Sequence, residues 1–150
     1  MSKNTGQSRF RKVDVDQFDE DKFQDENVEE DGEAGPNEGE INTLLSQNRQ
    51  AEALKHVLNH APLLSKNTTI KDRAAQLALR VLTSFKSSDI EPAVKSLDEK
   101  QTDMLMKYIY RGFEVPSEGS SAVLLTWHEK TYRIGGLGSI VRVLADRKRV

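Results

Sequence analysis

The 150-residue chain contains no cysteine. That excludes disulfides, thiolate metal ligands and cysteine nucleophiles. Long apolar runs are also missing: the longest, 122–125, is four residues, against the roughly 20 that a membrane-spanning helix needs. The opening MSKNTGQSRF has no apolar stretch of the kind a secretory signal requires. Aromatics are few, with five Phe, three Tyr and one Trp. No GxxxxGK[ST] loop is present, and neither is a GxSxG nucleophile elbow. The run Gly135-Gly136-Leu137-Gly138 contains a GxG but follows a helical pattern and lacks the third glycine. It reads as a helix break rather than as a dinucleotide loop.

Metal and acid–base chemistry find little support either. His56 and His60 are four apart, a spacing zinc can use on a helix. The glutamate of an HExxH pair is replaced by Val57, and no further ligand is evident. His128 beside Trp127 reads as a packed helix histidine. An EF-hand register from Asp14 puts Asp19 where glycine is needed. Closely spaced carboxylates occur mainly near the N-terminus, in a composition that cannot hold them rigidly. The chain is therefore expected to be no enzyme and to carry no cofactor.

What is present is an uneven charge distribution. Residues 1–40 carry 5 basic and 13 acidic side chains, and residues 41–150 carry 17 basic and 11 acidic ones. Such a split marks two parts with different physics. Residues 1–39 hold too little apolar surface to offset the entropy of ordering them, so they are expected to form a disordered arm and acidic linker. Yet SRFRKVDVDQFDEDKF, 8–23, sets Phe10, Phe18 and Phe23 among five carboxylates. A merely solubilising tail needs no phenylalanine. The acidic part would repel nucleic acid and anionic lipid.

Beyond residue 40 the apolar spacing turns helical. Ile41, Leu44 and Leu45 open it, and Leu54, Val57, Leu58 and Ala61 follow, stopped by Pro62. Ala74, Leu77, Ala78, Val81, Leu82 and Phe85 fall at offsets of 0, 3, 4, 7, 8 and 11. Ala75 and Leu79 add a second apolar face, which predicts a central, largely buried helix. Its N-cap is expected within Asn67-Thr68-Thr69. Ser88 or Asp89 should cap a short helix carrying Ile90, Ala93, Val94 and Leu97, with Pro92 in its first turn. Leu105, Tyr108, Ile109, Gly112 and Phe113 mark the next, ended near Pro116. Ser120 or Ser121 opens another with Val123, Leu124, Trp127 and Tyr132. Gly138 or Ser139 starts a last one with Ile140, Val143 and Leu144. The expectation is an all-α core over 40–150, about seven helices stacked as an armadillo- or HEAT-like superhelix. The closing VRVLADRKRV sets Arg142, Arg147, Lys148 and Arg149 near a helix end, where they complement its dipole or meet an acidic partner.

Four stretches taken in order carry a family resemblance: RFRKVDVDQFDEDKF, KDRAAQLALRVLTSFKSSDIEPAVKSLD, LMKYIYRGFEVPSEGSSAVLLTWHEK and GGLGSIVRVLADRK. Together they resemble the subunit 5 family of the actin-related protein 2/3 complex. The resemblance implies a non-catalytic subunit of a seven-subunit assembly that nucleates branched actin filaments. It implies that the arm reaches the actin-related protein 2 subunit, and that the core packs on subunit 4 and the β-propeller subunit 1. Contact with the actin filament would be indirect. No nucleic acid, membrane or second copy is implied as a partner. The implied place is the cytoplasm, the actin cytoskeleton and cell projections, with the nucleus besides. By position the arm's contact residues would be Arg9, Phe10, Arg11, Lys12, Val13, Val15, Phe18 and Phe23. On the core, Trp127, Arg142 and Arg147 are the candidate contacts.

An arm of this composition makes physical sense only when tethered. Burying each Phe or Val contributes roughly 1.5–3 kcal/mol, while ordering each residue costs roughly 1–2 kcal/mol of backbone entropy. Alone, the segment should bind weakly. Attached to a docked core, it meets its target at an effective concentration on the order of millimolar. The other reading is a free-standing helical adaptor for a peptide or an acidic protein surface.

Overall fold

The computed structural model describes residues 35–150. Six helices account for most of them, and no strand occurs among the described residues. They are α1 (Glu38–Ser46), α2 (Gln50–Asn59), α3 (Thr68–Thr83), α4 (Ser87–Lys95), α5 (Glu99–Glu114) and α6 (Ser120–Ala145). Of the expected arm and linker at 1–39, residues 1–34 lie outside the described residues.

The helix starts follow local chemistry. Asn37 caps α1, its side chain accepting from Gly39 N at 3.0 Å, so the first helix opens at Glu38. Glu38 and Glu40 occupy the first turn of α1, where negative charge suits the helix dipole. Asn67 caps α3, as expected. Asp98 and Gln101 close a reciprocal capping box on α5. For α4 the expected side-chain cap is absent. The helix begins at Ser87 after Lys86, which makes no capping bond, and Asp89 sits inside its first turn. That shift moves Pro92 into the second turn of the helix, where a proline removes an intrahelical bond.

The seventh expected helix is the distal limb of α6. At Gly136 the backbone takes φ 65° and ψ −171°, a region essentially reserved for glycine. The break comes two or three residues ahead of Gly138 and Ser139. Ser139 does not cap; its buried hydroxyl donates to Gly136 O at 2.8 Å.

α3 packs against α1, α2, α5 and α6, which makes it central as expected. The most extensive pairing is α5 with α6, and α4 lies on α6. Gly112 lets α5 and α6 approach, because a Cβ there would stand 2.6 Å from Leu124 Cδ1. The core unites Ile41, Leu54, Val57, Leu82, Ile90, Leu105, Ile109 and Leu124 around Trp127. Trp127 is 0% exposed and donates its indole N–H to Leu82 O at 3.0 Å. That carbonyl lies in the last turn of α3, where backbone acceptors lack intrahelical donors. Phe85 meets the indole edge-on with ring centroids 5.0 Å apart.

Candidate docking surfaces

The candidate contacts on the core separate into three environments. Trp127 is the clearest correction. It is wholly enclosed and its only polar group is bonded inside the core, so it offers a partner nothing. Its place in the apolar stripe with Val123 and Leu124 is a packing signal. Arg142 grips Asp103 with two bonds, Nε to Oδ2 at 2.8 Å and Nη2 to Oδ1 at 2.9 Å, with Glu99 at 3.7 Å. The bond to Asp103 holds its guanidinium above the ordinary arginine value. It joins α6 to α5 before any partner arrives. Arg147 is exposed and makes no ion pair among the described residues. The arm candidates Arg9, Phe10, Arg11, Lys12, Val13, Val15, Phe18 and Phe23 lie outside the described residues.

The histidines serve structure. His56 and His60 lie with ring centroids 4.3 Å apart and planes tilted by 31°. His56 Nε2 is 3.4 Å from a Glu40 carboxylate oxygen without hydrogen-bond geometry. Burial, with His60 adding to it, pushes the His56 imidazole below its usual pKa despite Glu40. Among the described residues no group of three or more His, Asp or Glu is arranged to hold a metal ion. His128 Nε2 meets the Tyr110 hydroxyl at 3.2 Å and its ring stacks on Tyr132.

Two apolar surfaces were not anticipated. The first runs along α6. Leu137 is 64%, Val141 55% and Leu144 70% exposed, on one face of the distal limb. Leu125 is exposed on the proximal limb. Leu144 was expected in a buried stripe with Ile140 and Val143; those two are half-buried and Leu144 is not. The signal was present, since 137, 140, 141, 143 and 144 spread over about 160° of the limb, wider than the face that packs inward.

The second surface is a groove between α3 and α5. Ala75 and Leu79, expected to make α3 largely buried, are only half-covered and line it with Tyr108, Val115 and Pro116. The Tyr108 side chain is 3% exposed, and its hydroxyl meets no hydrogen-bond partner among the described residues. Burial pushes its phenol well above the usual value. Arg111 pairs with Asp72 at the rim.

The tail is held rather than loose. Lys107, almost buried, donates to Asp146 Oδ2 at 2.5 Å and Lys148 O at 2.9 Å, and the Val150 side chain is 4% exposed. Between α5, α6 and this tail lies a cavity of about 340 Å³, walled by Phe113, Val143, Leu144 and Val150. The bond to Lys107, with a backbone bond from Lys148, holds the Asp146 carboxyl below its usual range.

Among known proteins, the chain matches the family described as "ARP2/3 complex 16 kDa subunit (p16-Arc)" over residues 9–150. It is 54% identical over 150 residues to "Actin-related protein 2/3 complex subunit 5-C" of Xenopus laevis, covering 100% of both chains. It is also 54% identical over 153 residues to "Actin-related protein 2/3 complex subunit 5-like protein" of Homo sapiens, again covering 100% of both. A more distant relative, "Probable actin-related protein 2/3 complex subunit 5" of Caenorhabditis elegans, is 37% identical over 142 residues, 94% of this chain and 97% of that one.

Proposed function

The chain belongs to the ARP2/3 complex 16 kDa subunit family, a family of non-catalytic structural subunits, and from that premise we propose how it serves its complex. The helical core docks on neighbouring subunits, with subunit 4 and the β-propeller subunit 1 as its partners. The arm straps the actin-related protein 2 subunit to the assembly through Phe10, Phe18 and Phe23. The complex nucleates branched actin filaments, so the chain works in the cytoplasmic actin cytoskeleton.

The observation that carries the reading is the apolar face of α6. A subunit made to stand alone has no use for a row of large side chains as exposed as Leu137, Val141 and Leu144. The family match begins at residue 9 and so includes the phenylalanine-bearing segment, which supports a role for that segment beyond solubility.

Co-expression with the remaining subunits tests the reading. Native mass spectrometry should find this chain at one copy per complex, equimolar with two actin-related proteins and a β-propeller subunit. Recovery only as a soluble monomer would contradict it and favour a free-standing adaptor.

A further inference from the structure

We propose that the distal limb of α6 and the fixed C-terminal tail form one docking site for an acidic amphipathic helix of another subunit. The inference rests on the docking reading above and names the chemistry of what docks. Leu137, Val141 and Leu144 fall at i, i+4 and i+7, a row about 10 Å long at the helical rise. A partner helix with its own apolar row matches that shape. Leu144 belongs both to the row and to the wall of the 340 Å³ cavity, which has room for an apolar anchor from the same partner.

Charge selects the sign of the partner. Residues 133–150 carry five basic side chains and one acidic one. Two of the five are already paired inside the chain, Arg133 with Glu129 and Arg142 with Asp103. Arg147 makes no ion pair among the described residues, and Arg149, 78% exposed, reaches Glu114 only at 4.0 Å. Lys148 and Arg149 edge the cavity. The basic residues follow directly on an exposed apolar row, and carboxylates on the partner would complement them.

The tail is built to hold this edge in place. Residues 146–150 are not helical, yet Lys107 bonds Asp146 and the Lys148 carbonyl, and Val150 is buried. A rim fixed in advance loses less entropy when a partner binds.

The test uses the full chain in its assembled complex, with Val141→p-benzoylphenylalanine as a photo-cross-linker. The linked peptide should come from another subunit, with apolar residues at helical spacing and at least two carboxylates beside them. A link to a second copy of this chain, to a segment without that pattern, or to nothing in the assembled complex overturns the proposal. In parallel, R147E/R149E should weaken incorporation about tenfold at low salt, less at high salt, without changing the melting temperature of the free chain. Unchanged incorporation would also overturn it. If the unmodified chain does not enter the complex, the docking reading itself fails. If it enters but the cross-link and charge reversal give the contrary results, only the site assignment fails.

Discussion

Trp127→Phe is the sharpest probe of how the core is held. The substitution keeps an aromatic ring beside Phe85 but deletes the donor that reaches Leu82 O at 3.0 Å. Losing the bond and leaving that buried carbonyl without its partner costs about 1–3 kcal/mol. The smaller ring leaves a void at a site with 0% exposure, which adds about 1 kcal/mol. The total of about 2–4 kcal/mol corresponds to a fall in melting temperature of roughly 8–20 °C for a core of this size. Thermal and urea unfolding of the full chain, followed by far-ultraviolet circular dichroism, measures both quantities. A loss below about 1 kcal/mol would refute the argument. The same experiment separates a core strut from a contact residue, because a contact residue would leave the free chain's stability unchanged.

Other substitutions test other parts of the structure. Tyr108→Phe should leave stability unchanged or raise it by up to about 2 kcal/mol in urea titrations, because it removes a buried hydroxyl without a partner; a loss of that size would show that the hydroxyl is satisfied. Gly136→Ala should cost about 1–3 kcal/mol, since alanine resists the conformation at the α6 kink; an unchanged urea midpoint would contradict this. Asp146 is held below its usual pKa chiefly by Lys107, so its stabilisation is present above the unfolded value and is lost as pH falls through the folded one. Asp146→Asn should therefore lower the urea midpoint at pH 7, by an amount that shrinks as pH falls below the usual carboxylate range, and high salt should shrink the difference. A midpoint difference independent of pH would refute the linkage.

Periodicity made most of the fold legible because the buried stripes of α2, α3 and α5 are regular. Asn67 was legible as a cap because its side chain suits the position, and Pro116 because the helix stops just before it. The start of α4 was not legible. Lys86 makes no side-chain cap, so the sequence carries no local signal there, and packing of Ile90, Ala93 and Val94 sets the register instead. Of the candidate site, spacing placed Trp127 in an apolar helical stripe, and its burial bears out that packing rather than the contact. The exposed row on α6 was readable only as an apolar arc too wide for one buried stripe, and the second face of α3 looked like core until α5 and α3 left a groove over it.

The central claim is that two unlike parts of one chain hold two neighbours together, and one dissociation rate tests it most directly. Complexes assembled with the full chain, unmodified or carrying Phe10→Ser, Phe18→Ser and Phe23→Ser, would be diluted and followed by native mass spectrometry. The account predicts that the substituted chain stays in the complex while the actin-related protein 2 subunit leaves faster. Equal retention of that subunit in both complexes would contradict it.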